Sequence, residues 1–162
     1  YNRTWCRKIF DLKEGYNTTN IPYDGNYIAC HLRHGDYQKY PNIYATIGKE
    51  AYENAIKEIN LPDLPIIFIQ GNIPKEDYAT QEKYDTSFID DFNILRNASF
   101  LLRANSTFSW WAHVLSKENQ IVYSPVLDNL TGKQDNVKFE LGNHNKFTHI
   151  NKTTFYLHED KI

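Results

Sequence analysis

Short apolar runs alternate with amphipathic stretches along the first half of the chain. Residues 27–32 form an apolar run after an Asp-Gly-Asn turn, and residues 65–71 form a continuous apolar run that a glycine closes. Such runs are typical of buried strands. Between them, apolar residues recur at helical spacing over residues 48–60, and Leu61-Pro62 ends that helix. This order predicts a β-α-β unit with an internal parallel strand.

The same alternation continues to residue 123. Asp90 and Asp91 indicate a helix start, because carboxylates are favoured at the positive end of the helix dipole. The further predicted elements are a helix at 74–83, a strand at 86–89, a helix from Asp90, a strand at 100–102, a helix at 108–117 and a strand at 120–123. This pattern predicts an α/β fold, a Rossmann-like open parallel sheet with helices on both faces. Its ligand site should lie beyond the carboxyl ends of the strands.

The C-terminal part of the chain is less regular. Residues 127–146 are polar and show little periodicity, which predicts a loop, and residues 148–150 predict a last short element. Trp110 and Trp111 are interpreted as core residues of the predicted helix facing the sheet, and not as platforms for sugars. Neither an internal repeat nor a linker divides the sequence, so we expect one domain over residues 1–162 with its core at about 26–125.

Length and charge narrow the function classes. A chain of 162 residues has the size of one domain. Its composition is 41% apolar and 23% charged with a formal net charge of -2, so any phosphate binding must be local. No apolar run approaches the roughly 20 residues that span a bilayer. We therefore expect no nucleic-acid partner, and membrane association only through a segment outside this chain.

Two places in the sequence have residue types that bind phosphate, although neither common glycine-rich phosphate loop is present. Residues 105–109, Asn-Ser-Thr-Phe-Ser, lie where a strand passes into a helix, so hydroxyls and free backbone N–H groups can meet an anion. A plain helix N-cap is the alternative interpretation. Arg33 follows a strand and carries a planar donor fork for phosphate oxygens, with a surface ion pair as its alternative. Together the two places predict a site for a phosphorylated ligand.

The same segments resemble one enzyme family. Residues 31–36, His-Leu-Arg-His-Gly-Asp, resemble the His-x-Arg-Arg-x-Asp motif of the α-1,2-fucosyltransferases and their α-1,6 and protein O-fucosylating relatives. Residues 91–95, Ala98 and residues 104–111 resemble the family's Asp-Leu-x-Leu-Met and Ala-Asn-Ser-Thr-Phe-Ser-Trp-Trp segments, at matching spacing. The similarity covers about residues 26–125 and is to the C-terminal half of the α-1,2-fucosyltransferases, which are glycosyltransferase family 11-like.

The resemblance implies a donor, a fold and a set of site residues. In such enzymes GDP-L-fucose binds to the C-terminal half of a two-domain GT-B-like fold. Transfer to a glycan hydroxyl, α-1,2 to a galactoside, inverts the anomeric centre. By resemblance, Arg33 contacts the β-phosphate, and His31 and Asp91 contact the guanine or its ribose; a helix-start role is the alternative for Asp91. The residues that the resemblance assigns to the rest of the GDP-fucose site are Asn105 and, at the diphosphate, Ser106, Thr107 and Ser109.

Departure of GDP builds up negative charge, which fixed donors must stabilise if no metal does. Arg33 and the helix start at Ser106 supply such donors. The chain has no Asp-x-Asp sequence or compact His/Asp/Glu cluster for Mg²⁺ or Mn²⁺, so we expect neither a metal nor a cofactor. The acceptor hydroxyl needs a general base, for which Asp36 is the first candidate and His34 the second. A turn-stabilising role is the alternative for Asp36, so Arg33 and Asp36 are the predicted catalytic residues.

Two departures from the family pattern leave the acceptor and the activity open. His34 stands where most α-1,2 enzymes have a second Arg, which puts the acceptor class in doubt. The Gly-x-x-Gly-Asn-Gln segment that opens the acceptor-side domain is not found. The chain is therefore interpreted as the donor half of a larger α-1,2-fucosyltransferase or of an α-1,6 or protein O-fucosyltransferase relative. The alternative is a GDP-sugar-binding module that does not transfer.

These interpretations set the expected partners and location. We expect GDP-fucose, a glycan acceptor and an acceptor-binding domain in the full-length protein as partners. A cytoplasmic location, bacterial or viral, is favoured over the Golgi lumen.

Overall fold

The computed structural model describes residues 2–16, 21–70 and 88–148, together with the backbone of residues 154–158. In chain order the elements are α1 (Arg3–Phe10), a 3₁₀ turn (Pro22–Gly25), β1 (Ile28–His31), α2 (Asp36–Lys39), β2 (Ala45–Ile47), α3 (Lys49–Ile59), β3 (Ile66–Ile69), α4 (Phe88–Asn97), β4 (Phe100–Leu102), α5 (Thr107–Val114), β5 (Ile121–Leu127), β6 (Gly132–Gln134), β7 (Lys138–Leu141), β8 (Asn145–Thr148) and β9 (Thr154–His158).

The main sheet is mixed but mostly parallel. Its strand order is β3-β1-β4-β5-β8-β9, with β7 paired to β5. β1 pairs in parallel with both β3 and β4, and β4 pairs in parallel with β5. The antiparallel pairs are β5 with β7 and β8 with β9, while β2 and β6 form a separate short parallel pair. The predicted α/β, Rossmann-like sheet is therefore confirmed.

Helices cover both faces of this sheet, because successive side chains of each strand point to opposite faces. Ile28 and Cys30 of β1 join the core beneath α3, whereas Ala29 joins the core beneath α4 and α5. The helix side chains that complete the two cores include Tyr52 of α3 on the first face and Leu95 of α4 and Ala112 of α5 on the second. The two-sided arrangement predicted from the sequence is thus present.

One predicted strand is wrong. Residues 86–89 were expected to be extended, but Phe88 and Ile89 form the first turn of α4, ahead of Asp90 and Asp91. A short apolar run fits a strand and a buried helical turn equally well, so its pattern does not separate the two. The remainder of that strand and the predicted helix at 74–83 lie outside the described residues.

The polar loop predicted for residues 127–146 is also wrong, since β6 and β7 lie within it and β8 begins there. β7 pairs along β5 and places Phe139 in the core, 5.0 Å from the ring of Tyr52. Strands of three or four residues are too short to show the two-residue period of a strand clearly. Residue 148, where a last short element was expected, ends β8.

The N-terminal segment forms helix α1. Asn2 caps the helix by accepting from the backbone N–H of Trp5 at 3.0 Å. Cys6 is buried on α1 against Val114 and Leu115, in a cluster that Trp110 and Trp111 also join. The two tryptophans are therefore packing residues, as expected, but they face α1 and not the sheet.

None of the helices in the described segments is both long enough and apolar enough to cross a bilayer.

Candidate functional site

The strand order places a crevice at the carboxyl ends of β1 and β4. From β1 the chain passes through α3 to β3 on one side of β1, and then through α4 to β4 on its other side. The two connections diverge between β1 and β4. Ligands of open α/β sheets bind at such a switch point, beyond the carboxyl ends of the strands. Both segments singled out in the sequence, residues 31–36 and 104–109, begin at this edge.

Arg33 lies two residues beyond β1 and is held by its own loop. The chain turns at Gly35, whose φ of 54° and ψ of -113° favour glycine. This turn brings Asp36 back to Arg33, so that Nη2 of Arg33 lies 2.7 Å from Oδ1 and 2.9 Å from Oδ2 of the carboxylate. The Arg33 side chain keeps 36% of its surface exposed. A charged donor group thus stands at the mouth of the crevice.

His34, which stands where most α-1,2 enzymes have a second Arg, lies inside the protein. Its ring is buried, Nε2 lies 3.0 Å from the carbonyl oxygen of Ile47, and Nδ1 lies 3.1 Å from Nε2 of Gln70. Since a carbonyl can only accept, Nε2 carries the proton and Nδ1 accepts from the amide. His34 therefore ties the loop to β2 and the end of β3. In this arrangement both ring nitrogens are engaged, which leaves neither for the role of general base.

His31, the last residue of β1, lies beneath the loop. The side chain is 3% exposed and its ring centroid lies 5.6 Å from that of Phe108 on α5. Its Nδ1 is buried without a hydrogen-bond partner. Burial lowers the pKa of His31 to about 3, and the positive charges of Arg33 and Arg103 act in the same direction. The ring is therefore neutral at neutral pH and can offer a ligand a hydrogen bond but no charge.

The start of α5 forms the other side of the crevice. Ser106 is its N-cap and accepts from the backbone N–H of Phe108 at 3.2 Å. Ser109 is fully buried and its hydroxyl donates to the carbonyls of Ala104 and Ser106, each at 3.3 Å. Thr107, by contrast, is exposed. Of the three predicted hydroxyls, two shape the turn and Thr107 faces solvent at the positive end of the helix.

The two segments meet through Tyr37. Its hydroxyl donates to the carbonyl oxygen of Asn105 at 3.5 Å, at the outer limit of a hydrogen bond. Its ring lies beside Arg33, with 4.9 Å between the guanidinium carbon and the ring centroid. Tyr37 therefore lies between Arg33 and the turn at Asn105, and a shared phosphate site for the two segments stays a prediction. Tyr37 directly follows the first motif in the sequence, but nothing in the pattern indicated this bridging position.

Asp91 lies in the first turn of α4, at the same edge of the sheet as the start of α5. The next residue, Phe92, packs edge-on against Phe108 with 5.3 Å between ring centroids. The first turns of α4 and α5 are thus neighbours. Asp91 is half-buried there, near the helix that carries the candidate phosphate-binding turn.

Arg103 is the functional-site residue that sequence reasoning missed. The side chain is fully buried directly after β4, and Nη1 donates to Oγ of Ser124 at 3.2 Å and to the carbonyl of His144 at 2.6 Å. Nη2 donates to Oδ1 of Asn145 at 2.6 Å and lies 3.5 Å from the carbonyl of Ser106. Arg103 thus supports the turn at Ser106 from below. The one indication in the sequence was that Arg103 directly follows residues 100–102, which were predicted to form a strand.

Within residues 2–16, 21–70 and 88–148 no three His, Cys, Asp or Glu side chains are grouped so that they could hold a metal ion. The candidate donor groups of the crevice are instead the guanidinium of Arg33 and the backbone N–H groups at the start of α5. Independence from metal stays a prediction.

Comparison with known proteins identifies the family. Searches among curated proteins and among solved structures found no match. The family model described as glycosyl transferase family 11 matches residues 7–140, which is most of the chain and includes both segments of the crevice. The chain therefore belongs to glycosyl transferase family 11, a family of fucosyltransferase-type enzymes.

Proposed function

We propose that this chain binds GDP-L-fucose between the ends of β1 and β4 and provides the donor site for inverting, α-1,2 transfer of L-fucose to a galactoside. The observation that carries the proposal is the position of Arg33 opposite the start of α5 at the switch point of the sheet, with Tyr37 joining the two. A guanidinium and a helix N-terminus are two groups that bind phosphate well.

The roles proposed for the donor-site residues combine this geometry with the resemblance to the α-1,2-fucosyltransferases. Arg33 binds the β-phosphate, and the backbone N–H groups at the start of α5, with the Thr107 hydroxyl, bind the diphosphate. The neutral ring of His31 offers its buried Nδ1 to the nucleoside. Asp91 accepts from the N1–H and N2–H₂ edge of guanine. The hydroxyls of Ser106 and Ser109, with the backbone of Asn105, hold the turn in shape.

In the proposed reaction, the bond between C1 of fucose and the β-phosphate oxygen breaks, and its electron pair leaves with GDP. Arg33 and the helix start stabilise the charge that develops on the phosphate. The acceptor oxygen bonds to C1 from the opposite face and gives its proton to a general base. Asp36 is the proposed base. Phosphate competes with Asp36 for the guanidinium of Arg33, so donor binding frees the carboxylate that Arg33 otherwise holds.

A second candidate function is GDP-sugar binding without transfer. It is favoured by one contact, because both carboxylate oxygens of Asp36 lie within 2.9 Å of Arg33, so that the carboxylate is paired in this state. A transfer assay with GDP-fucose and a β-galactoside separates the two functions. A β-linked product, which means retention of the donor configuration, or a linkage other than α-1,2, contradicts the first proposal in its details.

Isothermal titration with GDP, GDP-fucose and UDP tests the binding proposal. Replacement of Arg33 by Ala should weaken GDP binding about 10- to 150-fold, the effect of losing hydrogen bonds to a charged group. Arg7→Ala is the matched control, since Arg7 pairs with Glu118 at 3.6 Å on α1 and not at the crevice. Equal affinities for GDP and UDP, or unchanged GDP binding by Arg33→Ala, rule out the proposed site.

Asp91→Asn tests the assignment of guanine. The substitution should reduce the preference for GDP over UDP, because a neutral amide is a weaker acceptor for the guanine edge than a carboxylate. The control is Asp63→Asn, an exposed carboxylate between α3 and β3, at the opposite edge of the sheet. An unchanged ratio of GDP to UDP affinity removes Asp91 from the nucleotide site.

A further inference from the structure

Tyr37 makes three contacts that converge on the candidate phosphate site. One is with Arg33, whose guanidinium carbon lies 4.9 Å from the ring centroid. The second is with Tyr44, which stacks on Tyr37 with 4.3 Å between centroids and 12° between the ring planes. The third is the hydroxyl contact to the carbonyl oxygen of Asn105 at 3.5 Å. One side chain thus touches both segments of the crevice.

Local structure explains why Tyr37 is held in this place. The turn at Gly35 leads into the single turn of α2, in which the backbone N–H of Tyr37 donates to the carbonyl of His34 at 2.9 Å. The chain then folds back, and the backbone N–H of Tyr44 donates to the carbonyl of Tyr40 at 3.0 Å. This return places the ring of Tyr44 against Tyr37. The ring beside Arg33 is therefore supported by its own loop.

The two neighbours of Arg33 differ in what they require of it. Asp36 accepts from Nη2, so it uses a donor that a phosphate also needs. An aromatic face instead attracts the guanidinium plane and leaves its in-plane N–H donors available. A flexible arginine loses rotamer entropy when it binds a ligand, and prior positioning reduces that cost. When a phosphate replaces the Asp36 carboxylate as acceptor for the N–H donors of Arg33, only the contact with the Tyr37 ring can remain.

We propose that Tyr37 is a positioning residue for donor binding: its ring, braced by Tyr44, holds the guanidinium of Arg33 opposite the start of α5 so that Arg33 can bind the β-phosphate. This inference rests on the proposed function. It assigns to Tyr37 no contact with the substrate. A substitution of Tyr37 should therefore weaken nucleotide binding only through Arg33, and only for nucleotides that carry the β-phosphate.

The test compares GDP with GMP, which lacks the β-phosphate, by titration calorimetry on the full chain. Tyr37→Leu should weaken GDP binding about 3- to 30-fold, the range expected for loss of a cation–π contact, and should change GMP binding less than about twofold. Tyr37→Phe keeps the ring and should stay within about threefold of the wild type for GDP. Tyr40→Leu is the matched control, an exposed tyrosine of the same loop, and should change neither affinity.

A double-mutant cycle tests whether Tyr37 affects GDP binding through Arg33. In an Arg33→Ala background, Tyr37→Leu should cause no further loss of GDP affinity, because the group that it positions is gone. If the losses of GDP affinity caused by Arg33→Ala and Tyr37→Leu instead add up in the double variant, the inference is overturned. Equal losses for GDP and GMP in Tyr37→Leu, or a loss in Tyr37→Phe as large as in Tyr37→Leu, also overturn it.

Pentafluorophenylalanine at position 37 provides a variant that keeps the shape of the ring and so does not depend on the folding of Tyr37→Leu. Fluorination reverses the ring quadrupole, so GDP binding should be about 3- to 10-fold weaker than in Tyr37→Phe, with GMP unaffected. Equal GDP affinities for the two rings overturn the inference. Failure of the proposed function is recognised separately, by a wild type that does not bind GDP or an Arg33→Ala variant that binds it normally.

Discussion

The buried guanidinium of Arg103 donates to Oδ1 of Asn145 across 2.6 Å, which joins the carboxyl end of β4 to the start of β8. The same group also donates to Ser124 of β5 and to the carbonyl of His144. Three segments that are distant in sequence are therefore fixed around one side chain. The turn proposed to bind phosphate follows directly, because Arg103 precedes Ala104.

Replacement of Arg103 by Met should lower the free energy of unfolding by about 3–5 kcal/mol, because it leaves buried acceptors without their charged donor. Urea unfolding followed by tryptophan fluorescence measures the change. Arg7→Met is the control, and its half-exposed ion pair with Glu118 should contribute less than about 1 kcal/mol. A loss of less than about 1 kcal/mol in Arg103→Met contradicts a supporting role for this network.

Substitutions of Ser106 and Thr107 should have different effects, the first on stability and the second on GDP binding. Ser106→Ala removes the N-cap of α5 and should lower the free energy of unfolding by about 0.5–2 kcal/mol. Thr107→Val keeps the side-chain shape of an exposed residue, so it should leave stability nearly unchanged while weakening GDP binding. Calorimetric titration and urea unfolding of both variants check the pair. A stable Thr107→Val protein that binds GDP as the wild type does excludes this hydroxyl from the diphosphate site.

Strands β1, β3 and β4 could be predicted from the sequence because each is a short continuous apolar run. β1, β3 and β4 form one parallel ladder, in which Ile28 pairs with Ile66 on one side and with Phe100 on the other. β7 could not be predicted in this way. Its stability depends on pairing with β5 and on the burial of Phe139, and neither is visible in a short polar segment.

The position of the candidate site could be predicted from the sequence, but the orientations of its side chains could not. Motif resemblance and the strand-end rule located Arg33 and the start of α5. Whether a hydroxyl faces the crevice depends on a rotation of about 100° per residue along the helix. Ser109 is therefore buried although Thr107 is exposed. His34 likewise lies inside the protein, where its ring forms hydrogen bonds with the carbonyl of Ile47 and the amide of Gln70. Both partners are distant in sequence, so the pattern around His34 does not indicate them.

Removal of metal should not affect donor binding. The proposed phosphate ligands are a guanidinium and backbone N–H groups, which neutralise the diphosphate without a bridging cation. GDP affinity should therefore be the same in EDTA and in millimolar Mg²⁺ or Mn²⁺. Titration calorimetry under the three conditions is the measurement, and a fall in affinity with EDTA that Mg²⁺ restores contradicts the prediction.

Two buried histidines should make stability depend on pH. Burial lowers the pKa of His31 to about 3 and that of His113 to about 4, the latter against the opposing effect of the hydrogen bond with Gln120. An unfolded histidine titrates near 6.5. As pH falls below that value, the unfolded chain takes up protons that the folded chain does not. The free energy of unfolding should therefore fall with pH, by at most about 1.4 kcal/mol per pH unit for each histidine.

His113 offers a way to test this dependence without disturbing the crevice. Nδ1 of His113 lies 3.0 Å from Oε1 of Gln120, whose amide nitrogen donates to the carbonyls of Leu95 and Ala98, so Nδ1 is the donor to Gln120. Asn at position 113 keeps a donor in nearly the same place but does not titrate. Between pH 6 and pH 5, His113→Asn should lose stability less steeply than the wild type, by up to about 1.4 kcal/mol per pH unit. Urea unfolding at the two pH values measures both slopes, and identical slopes mean that His113 does not remain neutral in the folded chain.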